Sequence, residues 1–204
     1  MSARPNGGDL ALIDAGGANL GSVMYALRRI GAAPRLVRDA DALGDPERVI
    51  LPGVGAAAQA MQHLRASGLD RVIRTLSQPL LGICLGMQLL FERSAEGEVE
   101  GLGLLPGSVD RLPAAPRWPH MGWNTLDDIQ PHPLLAGVAR GAWVYFVHGY
   151  AVAPGAATIA TSAHGGEFSA AVARGHIAGV QFHPEKSAAV GRRILANFLE
   201  LPCS

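Results

Sequence analysis

A single cysteine flanked by glycines marks a sharp turn between an apolar run and an amphipathic run. The segment 79–91 reads PLLGICLGMQLLF, and Gly82 and Gly86 lie two residues before and after Cys84. A strand that turns directly into a helix exposes the side chain at the turn, and neighbours at these spacings must be small for the turn to close. The helix N-terminus stabilises the thiolate, which is the nucleophilic form. The pattern predicts a strand–nucleophile–helix turn; the alternative is a buried cysteine that acts as a small apolar residue.

A histidine and a glutamate two residues apart are candidates for the base that such a nucleophile needs. They lie in GVQFHPEKS (179–187), where Pro184 separates His183 from Glu185. Because the residue before a proline is pushed into the extended region, we expect an extended segment whose two side chains project to the same side. The carboxylate can then orient the imidazole while its other nitrogen faces Cys84. Alone, a His-x-Glu pair is more often a solvated strand end; together with the turn, it predicts a catalytic triad.

Short apolar runs alternate with helical patterns in the first half of the chain. Apolar residues recur at helical spacing after Asn19, a candidate N-cap, and stop at Gly31. Two further helical pieces lie in MQHLRASG and LDRVIRTLS. The alternation predicts an α/β fold with a mostly parallel open sheet and helices on both faces. Cys84 would then lie at the carboxyl end of a strand, where such sheets hold their sites. The predicted strands lie in LALIDAG, PRLVRDA, RVILPGV and PLLGICL.

The second half of the chain has a different pattern. Residues 101–175 are rich in Gly, Pro and short β-like runs, which predicts extra strands and hairpins that continue or flank the sheet. A terminal helix is expected in AAVGRRILANFLEL. Without an internal repeat or a long linker, the chain is expected to form one domain over residues 1–204, with residues 1–8 as a flexible N-terminus.

Charge and composition exclude several classes of function. The 17 Lys and Arg balance the 17 Asp and Glu among 204 residues, so no basic stripe indicates nucleic acid or an anionic membrane. The two cysteines do not suggest a disulfide framework, and no histidine spacing predicts a metal site. The N-terminus lacks an apolar signal region, and no apolar run approaches the roughly 18 residues that cross a bilayer. We expect a soluble cytoplasmic protein with no cofactor.

Several motifs carry a resemblance to a known family. GICLGMQLLF and GVQFHPEKS resemble the signatures of class I glutamine amidotransferases, and RVILPGVG (48–55) resembles their oxyanion strand and loop. The resemblance covers about residues 9 to 200 and implies the fold of that family. Three segments are similar to the glutaminase subunits of imidazole glycerol phosphate synthases, which serve histidine biosynthesis: IDAGGANLGSV (13–23), PHMGWN (119–124) and YFVHGY (145–150).

This resemblance implies an activity and a partner. A triad of Cys84, His183 and Glu185 would hydrolyse L-glutamine to glutamate and ammonia. The ammonia would pass to a (β/α)8 cyclase subunit, bound as a heterodimer, which makes imidazole glycerol phosphate and aminoimidazole carboxamide ribotide. The rivals are another amidotransferase or a γ-glutamyl hydrolase, and a non-catalytic interaction module that kept the fold. The presence of all three triad residues disfavours the module.

The PGVG loop has a physical role in such a reaction. An amide attacked by a thiolate develops an oxyanion, which needs backbone N–H donors about 3 Å away. Glycines on both sides of Val54 allow its peptide to rotate. We therefore predict an oxyanion hole formed by Gly53, Val54 and the N–H of Leu85, although a tight strand-to-helix turn explains the same glycines.

The resemblance also implies further positions. Gln88 lies one turn after Cys84 and faces the same pocket. The substrate contacts would be Gly55, Gln88, Glu96, Gly149 and Tyr150, and the partner interface would include Asn19, Trp123, Tyr145 and Lys186. An exposed glutamine and ordinary surface or core aromatics are the alternatives, and His148 is expected to be structural.

One loop lacks the motifs of nucleotide-binding sites, and three positions depart from the usual residues of the family. GGANLG, which contains Asn19, lacks the GK[ST] of a P-loop and the second glycine of a dinucleotide fingerprint, so neither site is predicted. Ala15, Gly149 and His164 stand where the family more often has Tyr, Ser or Thr, and Tyr. None of the three removes a catalytic group, but they leave undecided how the backbone binds the substrate and one detail of gating.

Overall fold

The structure, a computed structural model, describes residues 8–17, 19–114 and 117–202. The flexible segment expected at residues 1–8 therefore lies, apart from Gly8, outside the described residues. So does Cys203.

A seven-stranded sheet forms the centre of the molecule. Its strands are β1 (Leu10–Ile13), β2 (Arg35–Val37), β3 (Arg48–Gly53), β4 (Leu80–Cys84), β11 (Thr158–Ala163), β12 (Glu167–Arg174) and β13 (Ile177–Val180), in the order β11-β12-β13-β4-β3-β1-β2. The run from β13 to β2 is parallel, and β11 and β12 extend it antiparallel. The four strands predicted in the first half are confirmed, and so is the mostly parallel sheet.

Two smaller sheets account for the Gly- and Pro-rich second half. One contains β5 (Phe91–Ser94), β6 (Val99–Glu100), β7 (Leu105–Arg111) and β10 (Tyr150–Val152). The other is a hairpin of β8 (His120–Leu126) and β9 (Ala142–His148). The expectation of extra strands that continue or flank the main sheet is therefore confirmed.

Helices cover both faces of the main sheet. They are α1 (Leu20–Arg29), α2 (Ala40–Leu43), α3 (Ala57–Ala66), α4 (Leu69–Arg74), α5 (Leu85–Leu89) and α6 (Ala188–Glu200), with 3₁₀ turns at Pro133–Leu135 and Pro184–Lys186. Successive side chains of a strand point to opposite faces. In β1, Leu10 and Leu12 belong to the core that includes residues of α1 and α6, and Ala11 and Ile13 to the core that includes residues of α3 and α4. Within the described ranges, no helix is both long and apolar enough to cross a membrane.

The carboxyl ends of the parallel strands bring the predicted site together. Gly53 ends β3 and Cys84 ends β4, and the two residues are paired in register. Asn19 precedes α1 as expected, but its left-handed backbone (φ 81°) is accompanied by no side-chain capping bond to the helix. Asn19 is therefore the N-cap residue of α1 by position, as predicted, and its side-chain amide is available for another contact.

Candidate active site

Cys84 lies at a strained turn between β4 and α5. Its backbone has φ 53° and ψ −112°, a conformation that a non-glycine residue adopts only when its surroundings impose it. A Cβ on Gly86 would overlap the carbonyl oxygen of Leu51, and one on Gly82 would lie 2.7 Å from the backbone nitrogen of Met87. Both glycines are therefore required by close backbone packing, which is the physical basis of the predicted turn.

His183 and Glu185 are in contact beside this cysteine. His183 Nδ1 and Glu185 Oε1 are 2.8 Å apart, and their side chains are 4% and 0% exposed. The same imidazole is hydrogen-bonded to Cys84. The backbone differs from the expectation, since only His183 is extended (φ −96°, ψ 98°) and Pro184–Lys186 forms a 3₁₀ turn. Proline restricts the residue before it, whereas its own φ suits the first position of a helical turn.

The electrostatics favour a charged imidazole. Burial lowers the pKa of His183, but hydrogen bonds with Cys84 and Glu185, and the charges of both, outweigh burial and raise the pKa to about 10. Burial likewise raises the pKa of Glu185, yet the hydrogen bond and charge of His183 hold that pKa below its usual range. The arrangement therefore suits a protonated His183 beside an ionised Glu185.

Asn19 makes the contact that replaces capping. Its Nδ2 donates to Glu185 Oε1 over 2.6 Å, so this oxygen accepts from both Asn19 and His183. The resemblance implied a position at the partner interface for Asn19. The structure brings the half-buried Asn19 into direct contact with the predicted triad.

Two glutamines connect the sulfur to strand β10. Gln181, which is fully buried, donates from Nε2 to Cys84 Sγ at 3.7 Å. Its Oε1 accepts from Gln88 Nε2 at 3.0 Å, and Gln88 Nε2 also donates to the carbonyl of Tyr150 at 2.8 Å. Gln181 was not predicted from the sequence. The available signal was its position two residues before His183, close to the segment that was expected to be extended.

Two buried histidines, His120 and His148, form a row of hydrogen bonds that ends at the carbonyl of Tyr150. His148 Nδ1 donates to the Tyr150 oxygen over 2.8 Å, because a carbonyl can only accept. His148 Nε2 must then accept from His120 Nδ1 at 3.0 Å, and His120 Nε2 from Asn124 Nδ2 at 3.3 Å. Burial lowers the pKa of His148 to about 3 and, with the nearby His164, the pKa of His120 to about 4. This row of contacts was not predicted from the sequence.

A cavity of about 500 Å³ collects most of the predicted site residues. Glu96 is held at its wall by a hydrogen bond from the Ala57 backbone at the start of α3 (3.0 Å). Gly149 is covered by Trp118, whose Nε1 donates to the Gly149 carbonyl over 2.9 Å. Gly53, Glu185, Trp123 and Tyr145 are not among the lining residues. The predicted residues that line it are Asn19, Val54, Gly55, Cys84, Leu85, Gln88, Glu96, Gly149, Tyr150, His183 and Lys186.

The predicted oxyanion residues are neighbours at the ends of two strands. A Cβ on Gly53 would lie 3.0 Å from the backbone nitrogen of Gly86, so β3 passes closely against the turn at Cys84. Gly55 has φ 97°, and no atom lies within 4 Å of the position that a Cβ would take. The loop after β3 thus depends on glycine at residue 55 for its backbone conformation rather than for space.

Three of the predicted interface residues form a row on the hairpin side of the cavity. Trp123 and Tyr145 contact each other edge to face at 5.9 Å, and Lys186 Nζ lies 5.7 Å from the Tyr145 ring centre. Met121 and Trp143 are exposed by 64% and 57%, and Trp123 by 49%. In the described part of the chain, no three His, Cys, Asp or Glu side chains are grouped to bind a metal ion.

Comparisons with known proteins assign the chain to a family. The sequence model of glutamine amidotransferase class-I matches residues 11–201. The imidazole glycerol phosphate synthase subunit HisH of Xanthomonas axonopodis pv. citri is 60% identical over 195 residues, covering 95% of this chain and 98% of the relative. HisH of Xylella fastidiosa (strain Temecula1) is 59% identical with the same coverage.

Solved structures of low sequence identity share the fold. A glutamine amidotransferase structure superposes with a TM-score of 0.75 at 22% identity, covering 95% of this chain and 98% of its own. The structure of PurLQS from Thermotoga maritima gives 0.72 at 20% identity, with 94% and 97% covered. The expected class I fold is confirmed. The chain belongs to the class I glutamine amidotransferases and, within them, to the HisH subunits of imidazole glycerol phosphate synthase.

Proposed function

We propose that this chain hydrolyses L-glutamine to L-glutamate and ammonia through Cys84, His183 and Glu185, and delivers the ammonia to a cyclase subunit. The observation that carries the proposal is the continuous contact from the Cys84 sulfur through His183 to Glu185, at the wall of a cavity of about 500 Å³. Nucleophile, base and orienter occupy the relationship that acyl transfer through cysteine requires.

The proposed reaction begins with the thiolate of Cys84 and a protonated His183. The sulfur attacks the side-chain amide carbon of glutamine, and the carbonyl oxygen becomes an oxyanion. His183 gives its proton to the leaving nitrogen, the C–N bond breaks, and ammonia leaves a γ-glutamyl thioester on Cys84. Water then attacks this thioester, neutral His183 accepts the proton of the water, and the C–S bond breaks to release glutamate.

The oxyanion would be stabilised by backbone N–H groups near Val54 and Leu85. Such a donor contributes roughly 2.7–4 kcal/mol to the transition state. Support comes from the register of Gly53 with Cys84 and from the presence of Val54 and Leu85 on the cavity wall. Gln88, Glu96 and the backbone of Gly55, Gly149 and Tyr150 line the same cavity and would hold the amino-acid end of the substrate.

The proposed partner is the (β/α)8 cyclase subunit of a heterodimeric imidazole glycerol phosphate synthase. The relatives that are about 60% identical, which are HisH subunits of that synthase, support it. The row of Trp123, Tyr145 and Lys186 would meet the cyclase beside the cavity, with ammonia leaving past Asn19. There the ammonia would complete imidazole glycerol phosphate and release aminoimidazole carboxamide ribotide.

The decisive experiment separates the two half-reactions. Cys84→Ala in the complex with the cyclase should abolish glutamine hydrolysis and glutamine-driven synthesis, yet leave synthesis from added ammonium salts intact. Glutamine-driven turnover by the Cys84→Ala complex would refute the assignment of Cys84 as the nucleophile. Loss of ammonium-driven synthesis as well would show that the substitution damages the complex instead, and wild-type complex assayed in parallel calibrates both rates.

A second experiment addresses the partner face. Trp123→Ala and Lys186→Ala should lower the ratio of synthesis to glutamine hydrolysis, because ammonia then escapes between the subunits. Tyr25→Ala is the matched control, since Tyr25 is an aromatic residue on α1, 65% exposed, outside the row. Unchanged ratios in both interface variants would count against this face.

A further inference from the structure

The side-chain amide of Gln181 lies between the nucleophile and Gln88. It is fully buried, and its Nε2 lies 3.7 Å from Cys84 Sγ. We propose that Gln181 is a fixed hydrogen-bond donor to the sulfur of Cys84 and maintains that sulfur as the thiolate. The inference rests on the proposed function, in which Cys84 is the nucleophile, and it adds a residue that contacts the reacting atom.

The orientation of the Gln88 and Gln181 side-chain amides follows from the carbonyl of Tyr150, which can only accept a hydrogen bond. The carbonyl of Tyr150 requires a donor, so Gln88 turns its Nε2 toward it at 2.8 Å. The same Nε2 lies 3.0 Å from Gln181, which must therefore present its Oε1. The other end of the Gln181 amide, its Nε2, then faces the sulfur. A flipped amide would place two NH₂ groups against each other and leave buried donors unpaired, which is costly.

The buried His148 strengthens this constraint. Its Nδ1 also donates to the Tyr150 carbonyl over 2.8 Å. The carbonyl is thus held by two donors, from His148 and Gln88, and its position is determined by strand β10 rather than by the cavity. The orientation of Gln181 is consequently set before any substrate enters.

Besides His183, two groups near the sulfur act in opposite directions. The carbonyl of Val147, 3.7 Å from Sγ, can only accept and therefore suits a thiol, which has a proton to donate. The N–H of Gln181 suits a thiolate, which can only accept. A hydrogen bond to the charged form of a group favours that form, and more so where water is excluded. Gln181 and the protonated His183 together bias the sulfur toward its nucleophilic state.

The test is the pH profile of Cys84 alkylation by iodoacetamide, read by mass spectrometry of the peptide that contains Cys84. This reaction needs no glutamine, so the proposed role of Gln88 in substrate binding does not affect it. Gln181→Met keeps the length of the side chain and removes the donor, and Gln181→Leu is a second apolar variant. The matched control is Gln62→Met, at an exposed position on α3.

The expected result is a shift of the alkylation midpoint to higher pH by about one unit in both Gln181 variants. The rate near neutral pH should fall about tenfold, as expected for the loss of a hydrogen bond to a charged group. Gln62→Met should follow the wild-type profile. Folded Gln181 variants with the wild-type profile would overturn the inference, even if their KM for glutamine rises, because Gln181 would then act only through Gln88.

A measurement on the unsubstituted amide covers the case in which the variants do not fold. In the wild-type chain, the NMR resonance of the Gln181 Nε2 group should shift with pH in step with Cys84 alkylation, and this shift should vanish in Cys84→Ala. A resonance that does not follow the sulfur would overturn the inference. Failure of the proposed function is distinguishable, since it would appear as glutamine turnover by Cys84→Ala.

Discussion

The side-chain amide of Asn19 and the carboxylate of Glu185 are joined by a hydrogen bond of 2.6 Å, although 166 residues separate them in the sequence. The accepting oxygen also receives the hydrogen bond of His183, so one carboxylate oxygen is held from two directions. The residue before α1 thereby helps to fix the orienting group of the proposed triad. It does so beside the face at which we propose that the cyclase docks.

Asn19→Ala should therefore slow glutamine hydrolysis. The variant removes one of two hydrogen bonds to a buried carboxylate, and bonds to charged groups contribute about 1.5–3 kcal/mol. We expect kcat/KM for glutamine in the cyclase complex to fall about tenfold or more, mainly through kcat, because the imidazole is less well oriented. Steady-state glutaminase assays measure both constants.

The control for this prediction lies on the same turn of the chain. Ser22 lines the cavity, but among the described residues its side chain makes no hydrogen bond to the triad, so Ser22→Ala should retain wild-type constants. Asn19→Asp should be worse than Asn19→Ala near neutral pH, since it opposes a second carboxylate to Glu185. Asn19→Ala and Ser22→Ala with equal activity would refute the positioning role.

The elevated pKa of His183 depends on its neighbour in the turn. Burial lowers this pKa, and Cys84 supplies both a hydrogen bond and a charge that help to raise it to about 10. Cys84→Ala should lower the pKa of His183, because burial lowers this pKa and Glu185 alone then remains to raise it. NMR titration of the imidazole, assigned with His183→Asn, measures the shift. An unchanged titration would mean that Glu185 alone sustains the charge.

The loop after β3 has, at Gly55, a backbone conformation that glycine tolerates better than alanine. At φ 97°, Gly55→Ala costs roughly 1–2 kcal/mol without any steric contact. We propose that this is the resting form of the loop and that partner and acceptor favour another. Gly55→Ala should then raise the turnover of the chain alone several-fold and reduce its dependence on the cyclase.

Three assays of glutaminase turnover check this: the chain alone, with the cyclase, and with cyclase and an acceptor analogue. Gly21→Ala is the matched control, because its Cβ would also meet open space and its φ is ordinary for L-residues. Equal turnover of the wild type in all three assays would refute gating by the partner. It would leave the chemistry of Cys84 untouched.

The buried histidines of the hairpin should make stability depend on pH. Burial lowers the pKa values of His120 and His148 to about 4 and about 3 in the folded chain, against an ordinary value of 6.5. Between pH 6.5 and about 4 the unfolded chain binds protons that the folded chain does not, so the free energy of unfolding falls as pH falls. Each histidine contributes at most about 1.4 kcal/mol per pH unit.

His120→Gln tests this dependence, since glutamine can donate and accept but does not titrate. Urea unfolding from about pH 4.5 to 7 should give a shallower slope for the variant than for the wild type. The raised pKa of His183 affects the wild type and the variant alike, and its stabilising effect is lost only as pH rises above about 6.5, so it does not change the difference between their slopes. Parallel curves would contradict the expectation.

The elements that the sequence could predict are those set by local rules. Gly82 and Gly86 are needed because backbone atoms approach them closely, and that need is visible in the spacing around Cys84. The strand-like runs are buried on both sides, which gives continuous apolar stretches. These features depend on neighbours in the sequence, so the turn, the sheet and the helices could be read from it.

The features that were wrong or missed depend on distant contacts. Asn19 was predicted as the N-cap of α1 and holds that position, but the hydrogen bond from its side-chain amide to Glu185 was not predicted. The orientation of Gln181 follows from the carbonyl of Tyr150, far away in the sequence, through Gln88. No local spacing carries such information, because the direction of an amide is decided by the last acceptor in a chain of hydrogen bonds.

The indole of Trp118 occupies the space beside Gly149 in which relatives with serine or threonine would carry a side chain. A Cβ at residue 149 would lie 2.6 Å from this ring, which is also held by Arg111 stacked 4.4 Å from its centre. Residues 118 and 149 should therefore covary. A graft of the 145–150 segment from a relative into this chain needs a smaller residue at 118, and a chimaera that exchanges only one of them would carry a clash at the substrate wall.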